Sequence, residues 1–306
     1  MGTEGIDPLF FESIFYLQHM KAIPVRQIAE AGTVKGGAGR FSIRSLRQVL
    51  NGQKLVHDLH RHNFYFVLAI EKGEGVHEID FTPHQVRDHS VFILRPGQVH
   101  RLELSTKATG FLMEFDLAFY QPKTMIGELR WRKAVAKNYC GTDARNYKAL
   151  DARLAGILRE YTDRQEGYLE AIRAQLDLFF IDYTRQSRDP KAIAGSESGY
   201  IQDRFEELTR LLETHISMMK RVSQYAGLMN LSSYQLNAIS KSSVDKNVSE
   251  LINDQIILEA KRHLLATSSP VKEIADLLGY EDPSYFIRFF RKQTGQSPDM
   301  FRKNFK

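Results

Sequence analysis

The chain has little of what would place it in several common classes of protein. It has 306 residues but a single cysteine, Cys140, which excludes an internal disulfide framework and a zinc site built from several thiolates. No apolar run approaches the roughly 20 residues that a membrane-spanning helix needs. The first residues also lack the basic segment and the small-residue cleavage site of a signal peptide. We therefore expect a cytoplasmic protein with no membrane partner.

The chain also has only a small excess of positive charge and few signs of a catalytic motif. The net charge of +5 suits a polyanionic ligand, but this excess is too small to predict one by itself. Neither a Ser-His-Asp arrangement nor a Gly-rich phosphate loop stands out, so we expect neither an enzyme nor a bound cofactor. The apolar fraction of 42% and the charged fraction of 26% are those of a folded globular chain. Its length suits about two domains.

Short strands separated by turn residues are predicted between about residues 40 and 117. The segment FYFVLAI runs into the turn EKGEG, and VFIL stops at Pro96 and Gly97. Such spacing predicts an antiparallel barrel or sandwich. The alternative is an open sheet covered by helices.

The apolar pattern becomes helical over residues 123–188. Apolar residues recur at steps of three and four in KALDARLAGILREY and again in GYLEAIRAQLDLFFIDYTRQ. The second helix has more large apolar residues than one barrel would cover, which predicts a homodimer through Leu176, Phe179, Phe180 and Tyr183. Residues 189–199 are rich in Ser, Gly and charge, which predicts a flexible linker. A protease cut near this linker would then release the C-terminal part.

The remaining residues, 200–306, contain an internal repeat. Its copies are VSQYAGLMNLSSYQLNAISK from Val222 and VKEIADLLGYEDPSYFIRFFRK from Val271. A helix-turn-helix motif needs a small residue where its helices cross and a residue that tolerates positive φ in the turn. It also needs an N-cap for the second helix and an apolar residue that closes the core. In that order, the pairs are Ala226 and Ala275, Asn230 and Gly279, Ser232 and Asp282, and Leu236 and Phe286.

A helical pattern over residues 248–266 joins the two copies. With a rise of 1.5 Å per residue, this helix would span roughly 27 Å. Such a length can hold two recognition helices about one turn of DNA apart on one face of a duplex. The sequence therefore predicts double-stranded DNA as a partner.

This C-terminal third resembles the DNA-binding domain of the AraC/XylS family of bacterial transcription regulators. The similarity to the family signature extends through KEIADLLGYEDPSYFIRFFRKQTGQSPDMFRK. Two positions depart from the family pattern. Asp245 stands where a Gly usually ends the first recognition helix, and Ser240 stands where a Phe is usual. We therefore expect the first motif to be looser than the second or aimed differently.

Two sets of side chains are predicted to contact DNA. Exposed residues near the start and middle of each recognition helix point into the major groove and read bases: Tyr234, Asn237, Ala238, Ser284 and Arg288. Of these, Arg288 suits a guanine and Asn237 an adenine. Basic residues farther along contact phosphates: Lys241, Arg291, Lys292, Arg302 and Lys303. Tyr285, Phe289 and Phe290 recur at helical spacing, which favours the core over base stacking.

The family resemblance also implies a cupin-like sensor domain in the N-terminal half. HDLHRHNFYFVLAI and LRPGQVHRLEL look like the two cupin motifs, with His57 and His77 nearby. We expect an effector pocket lined by His60, His62, Phe64, Phe66 and His100. Three histidines suit a metal ion, but metal-binding cupins have a carboxylate shortly after the His-x-His pair, and Asn63 and Phe64 stand there instead. A pocket without a metal is therefore the favoured interpretation.

The sequence thus predicts an α+β protein of several domains. Residues 1–122 form a cupin-like antiparallel jelly-roll barrel, 123–188 a helical dimerisation region, 189–199 a linker and 200–306 an all-α domain with two helix-turn-helix motifs. We expect a sequence-specific DNA-binding regulator controlled by a small molecule or partner at the N-terminal domain. The alternative is a metal-dependent cupin enzyme that carries a DNA-binding domain. The sequence leaves activation and repression equally open.

Overall fold

A computed structural model of the protein describes residues 25–26, 28, 39–186 and 196–305. Its strands are β1 (Val25–Arg26), β2 (Phe41–Ser45), β3 (Leu55–His62), β4 (Tyr65–Lys72), β5 (Gly75–Ile79), β6 (Thr82–Val86), β7 (Ser90–Leu94), β8 (Val99–Leu104), β9 (Thr109–Phe115) and β10 (Tyr139–Gly141). They form two five-stranded sheets. Sheet I has the order β1-β3-β8-β5-β6, and sheet II has the order β10-β7-β4-β9-β2.

The inner faces of the two sheets pack on each other. Leu68 and Phe92 of sheet II share one buried cluster with Ile79 and Leu102 of sheet I. Neighbouring strands pair antiparallel except β1 and β3, which pair parallel. The sequence predicted a β-rich N-terminal domain, which is confirmed, but the described strands do not close into a barrel. Within residues 39–186 and the short β1, the outermost strands of each sheet pair on one side only, so the arrangement is the sandwich form of the predicted fold.

Helices cover the outer face of sheet II. After α1 (Leu46–Leu50) come α2 (Met125–Ala136), α3 (Ala144–Asp163) and α4 (Tyr168–Gln186). Strand β4 turns Val67 and Ala69 outward into a second buried cluster with residues of α3 and α4. The side chains that motivated the dimer prediction lie in this cluster and are at most 2% exposed: Leu176, Phe179, Phe180 and Tyr183. That reasoning was wrong, because these residues are covered by sheet II of their own chain.

The predicted boundary at residue 122 does not separate two structural units. Strand β10 lies between α2 and α3 and pairs with β7 at the edge of sheet II. The helical segment and the sheets are therefore parts of one domain.

The C-terminal helices are α5 (Ser196–His215), α6 (Val222–Leu228), α7 (Ser233–Val244), α8 (Val248–Ala266), α9 (Val271–Leu277), α10 (Pro283–Thr294) and α11 (Pro298–Asn304). The bounds of α8 are those expected from the sequence. Helix α5 begins inside the predicted linker, so residues 196–199 are helical, while residues 189–195 lie outside the described residues. Among the described residues, no helix has both the length and the apolar character needed to cross a membrane.

The C-terminal helices pack on the outer face of sheet I. Leu59 of β3 and Val99 of β8 belong to the same apolar cluster as the core of the helix-turn-helix repeat. Asp80 and Phe81 connect β5 to β6 and both have positive φ, 47° and 68°, as a two-residue hairpin turn of type I′ requires. The Phe81 ring lies 5.9 Å from the Phe301 ring of α11. The tip of this hairpin is thus part of the contact between the two halves.

Two ion pairs join the halves at the same surface. Arg262 of α8 reaches both carboxylate oxygens of Asp80, at 3.0 Å from Nε and 2.5 Å from Nη2. These two side chains are only 14% and 10% exposed. Arg95, just after β7, contacts Glu213 of α5 at 2.6 Å. Partly buried bidentate pairs fix orientation as well as distance, so the two halves have a defined mutual geometry.

Candidate nucleic-acid interface and histidine cluster

Both turns of the repeat have the backbone conformation that the sequence predicts. Asn230 has a φ of 53° and Gly279 a φ of 72°. A Cβ on Gly279 would lie 1.9 Å from the backbone oxygen of Ser217, so a side chain has no room there. Asn230 is exposed, and asparagine tolerates the left-handed region.

The recognition helices begin at the predicted N-caps. The Ser232 hydroxyl accepts a hydrogen bond from the Gln235 N–H, and the Gln235 side chain accepts one from the Ser232 N–H, which completes a capping box. In the second copy, the Asp282 carboxylate accepts from the Ser284 N–H at 2.8 Å, and Pro283 is the first helical residue. These local bonds position α7 and α10 in the same way within their motifs.

Helix α10 presents a basic face. Its exposed residues include the predicted contacts Ser284, Arg288, Arg291 and Lys292. The Arg288 side chain is 69% exposed, and its ion pair with Asp282 is long, at 3.8 Å. Tyr285 is 56% exposed, so the expectation that it belongs to the core was wrong, whereas Phe290 is fully buried as expected. This face combines an exposed guanidinium with an exposed aromatic ring.

Helix α7 presents a nearly uncharged face. Tyr234 is 84% exposed, and Ala238 and Lys241 are exposed as well. Asn237 differs from the prediction. Its Oδ1 accepts from the Val248 N–H and its Nδ2 donates to the Ser233 oxygen, both at 2.9 Å. Because both amide groups already have partners within the chain, Asn237 holds the start of α8 and is a poor candidate for reading adenine.

Helix α11 contains one predicted phosphate contact that the structure buries. Arg302 is 7% exposed, and its guanidinium donates to the backbone oxygens of Leu264 and Ser269 at 3.0 and 2.6 Å. It therefore ties α11 to the end of α8, and its assignment to a phosphate was wrong. Its neighbour Lys303 is exposed and stays a candidate.

The two recognition helices also end alike. Asp245 and Gly295 have φ angles of 55° and 80°, and their N–H groups bond to the oxygens of Lys241 and Arg291. Ser240 is buried, and its hydroxyl donates to the Lys246 oxygen at 2.6 Å. The departures noted in the sequence thus leave the geometry of this helix end unchanged.

The five side chains assigned to an effector pocket meet between the two sheets. All are at most 5% exposed: His60, His62, Phe64, Phe66 and His100. Their rings contact one another directly, with 4.3 Å between the centroids of His62 and Phe64 and 5.4 Å between those of Phe66 and His100. An organic effector would have to displace these rings. His77 of β5, which the sequence placed only nearby, is fully buried and joins them; the alternation in GVHEI indicates this inward position.

The imidazoles form a chain of close contacts. His77 Nε2 lies 2.9 Å from His100 Nδ1, and His100 Nε2 lies 2.7 Å from His62 Nε2. Burial lowers the pKa of His60 to about 4 and those of His62 and His77 to about 3. These rings are therefore neutral near pH 7, and each has a lone pair that can accept a proton or bind a metal ion.

A cleft of about 420 Å³ lies where the two halves meet. Its lining comes from both: Arg61, Tyr65, Arg95, Pro96, Gly97, Gln98, Glu213, Glu259, Arg262 and His263. Sequence reasoning missed it, because no local pattern shows that β3 and α8 are neighbours.

Two family models match the sequence. Residues 43–176 match the AraC-like ligand binding domain, and residues 225–304 match a helix-turn-helix domain. The first range runs from β2 into α4, so it includes all of the described strands after β1 and most of the helices on sheet II. The second contains both recognition helices.

Curated regulators match most of the chain. The uncharacterized HTH-type transcriptional regulator YfiF of Bacillus subtilis is 21% identical over 255 residues, which cover 81% of this chain and 79% of YfiF. The HTH-type transcriptional activator RhaS of Pectobacterium carotovorum is 26% identical over 255 residues, which cover 79% and 86%. The crystal structure of ToxT from Vibrio cholerae matches 87% of this chain and 98% of ToxT at 13% identity, with a TM-score of 0.40. With the ligand-binding and helix-turn-helix domains matched in order along one chain, the protein belongs to the AraC/XylS family of transcription regulators.

Proposed function

We propose that the protein activates transcription by binding specific DNA sites through α7 and α10. The observation that carries this proposal is the pair of exposed helix faces at matching positions of one repeated scaffold. Tyr234 and Ala238 stand on the first face, and Ser284 and Arg288 on the second. Activation is proposed because relatives of this chain are named transcriptional activators.

The two faces would make different contacts. An exposed arginine in the middle of a recognition helix suits a bidentate contact to guanine, which we assign to Arg288. Arg291, Lys292 and Lys303 would contact phosphates and fix the register. On α7, Ala238 suits apolar contact with a thymine methyl group, and Lys241 a phosphate. Both helices would thus contribute to sequence specificity, but the hydrogen bonds to bases would come mainly from α10.

We assign the small-molecule effector to the cleft between the halves. Its volume of about 420 Å³ is within the usual range for ligand sites. Arg95 and Arg262 line it and also make the ion pairs that join the halves, to Glu213 and Asp80. A ligand with an acidic group would compete for these arginines, which gives it a way to change the position of the DNA-binding helices.

We also propose a homodimer, but through a different surface from the one expected. Helix α2 exposes Met125, Ile126 and Leu129 by 78%, 67% and 51%. Sedimentation of the full chain should show a dimer that Ile126→Glu with Leu129→Glu converts to a monomer. Val56→Glu, at another exposed apolar residue, should leave the dimer intact. A wild-type monomer at tens of micromolar would rule this surface out.

Selection of bound sites from a random DNA pool tests the central proposal. The full chain should enrich a motif with two blocks about one helical turn apart. Deletion of either block should weaken binding. Recovery of unenriched DNA, or equal affinity for enriched and random sites, would contradict sequence-specific binding.

A further inference from the structure

The histidine cluster between the sheets has no part in the function proposed above. His60 and His100 are cross-strand partners on β3 and β8, and His62 lies two residues along β3. Each of these three rings offers a nitrogen, and the three nitrogens lie within 4.8 Å of one another. All three side chains are at most 5% exposed. The register of sheet I therefore gathers three imidazoles at one buried point.

The hydrogen bond of His60 determines which of its nitrogens is free. Nδ1 lies 2.6 Å from the Asp58 backbone oxygen, and since a carbonyl only accepts, Nδ1 holds the proton. Nε2 then has only its lone pair, and this buried atom has no hydrogen-bond partner among the described residues. A histidine that binds a metal ion usually has this arrangement, with one ring N–H donated to a carbonyl and the other nitrogen available.

His100 can be held in the same way. Its Nδ1 lies 2.9 Å from His77 Nε2, so it can donate there and leave its own Nε2 free. That Nε2 faces the Nε2 of His62 at 2.7 Å. Two lone pairs this close repel each other, so either one Nε2 holds a proton that points at the other or both nitrogens bind a cation beside them. A cation at this point would use the lone pairs of both rings.

We propose that His60, His62 and His100 bind a divalent first-row transition-metal ion, with His77 as the residue that orients His100. Imidazole nitrogen suits Zn²⁺, Cu²⁺ and Ni²⁺, and three histidines with one open position are a known zinc ligand set. The missing carboxylate, which disfavours a metal in the sequence, is not needed by such a set. The close ring contacts leave an organic ligand little room, but a single ion needs only small shifts of the three rings.

Such an ion would act on the DNA-binding half through the same two strands, a step that rests on the proposed function. Side chains alternate along a strand. On β3, His60 and His62 face inward while Leu59 packs on the C-terminal core. On β8, His100 faces inward and the adjacent Val99 packs on that core. Binding at the cluster would therefore shift the strand positions against which the DNA-binding helices pack.

Metal binding is tested on the full chain, made without a polyhistidine tag and dialysed against a chelator. After incubation with Zn²⁺ and gel filtration, elemental analysis should find about one ion per chain, and Tm should rise by several degrees. His62→Gln should lose both effects. His84→Gln, on β6 of the same sheet, should retain them. Less than a stoichiometric amount in the wild type, or equal retention by His62→Gln, overturns the proposal. If His62→Gln does not fold, His60→Gln and the wild-type shift in Tm decide.

Regulation is tested by DNA affinity with and without Zn²⁺. The affinity of the wild type for a selected site should change by roughly fivefold or more, as expected for coupled sites, and that of His62→Gln should not. Stoichiometric zinc with unchanged affinity would overturn the regulatory step. No DNA binding in either condition would count against the proposed function and would leave the result on metal binding as it stands.

Discussion

The two helix-turn-helix motifs share a scaffold but not a surface. Within the repeat, Ala238 of α7 stands where α10 has Arg288, and Ser242 stands where α10 has Lys292. Only Lys241 matches a cation, Arg291. Helix α10 therefore presents three positive charges where α7 presents one.

This difference separates what the fold requires from what recognition requires. Ala226 and Ala275 are both buried, because the two helices of each motif cross there. Positions facing outward have no such constraint. With Asn237 bonded inside the chain, the polar groups that α7 still exposes are mostly uncharged, among them the hydroxyls of Ser233, Tyr234 and Ser242. We infer that α10 supplies most of the charge-dependent affinity and that α7 adds apolar contacts.

The two motifs should differ most in how much stability is lost when the residue with positive φ in each turn is replaced. Gly279→Ala should destabilise the protein by on the order of 3 kcal/mol, because its Cβ would meet the Ser217 oxygen at 1.9 Å and its φ is 72°. Asn230→Ala should cost only about 1 kcal/mol, since that position is open to solvent. Urea denaturation of both variants measures this. Equal losses would mean that the two turns are equally constrained.

Arg288→Ala gives α10 the residue that α7 has at this position. Affinity for a selected site should fall by about 1–3 kcal/mol, and base preference should relax at one position. Lys292→Ala is the matched control and should weaken binding evenly across sequences. Titrations on selected and random DNA distinguish the two. If Arg288→Ala lost affinity equally on both DNAs, Arg288 would be a phosphate contact.

Asn237→Ala tests the assignment of this residue to the scaffold. The free energy of unfolding should fall by about 1 kcal/mol, because the Val248 N–H loses its acceptor. Asn237→Asp keeps an acceptor and should retain more of the stability. Base preference, measured by site selection, should stay the same in both variants. A changed preference with unchanged stability would return Asn237 to the base-reading set.

Lys241→Ala should have the smallest effect. Removing the one cation of the α7 face should reduce the slope of log affinity against log salt by about one unit, with no change in base preference. Lys303→Ala on α11 should reduce the salt slope by a similar amount, again with no change in base preference. A slope unchanged by Lys241→Ala would mean that α7 contacts no phosphate through this residue.

Sequence reasoning succeeded where a residue's role depends on its near neighbours. Asn230, Gly279, Ser232 and Asp282 have the predicted conformations and caps, because turns and N-caps are set within about four residues. The limits of α8 were predicted for the same reason: Asn247 caps it, and its apolar pattern runs without a break.

The errors concern partners that are distant in sequence. Arg302 bonds to carbonyls 38 and 33 residues away, so a basic pattern alone made it resemble a phosphate contact. Phe179 looked like an interface residue because nothing local reveals that sheet II covers it. The cleft and the four-histidine cluster likewise arise from strand pairing and from packing between the halves.

The docking of the C-terminal helices on sheet I has a practical consequence for cleavage experiments. Leu59, Val99 and the Asp80–Arg262 pair hold the halves together independently of the peptide bonds that connect them. A cut between residues 187 and 195 should therefore yield a nicked protein that elutes as one species, whereas composition alone suggests that the fragment would leave. In such a nicked sample, Asp80→Ala should allow the two pieces to separate at a lower denaturant concentration than they otherwise would.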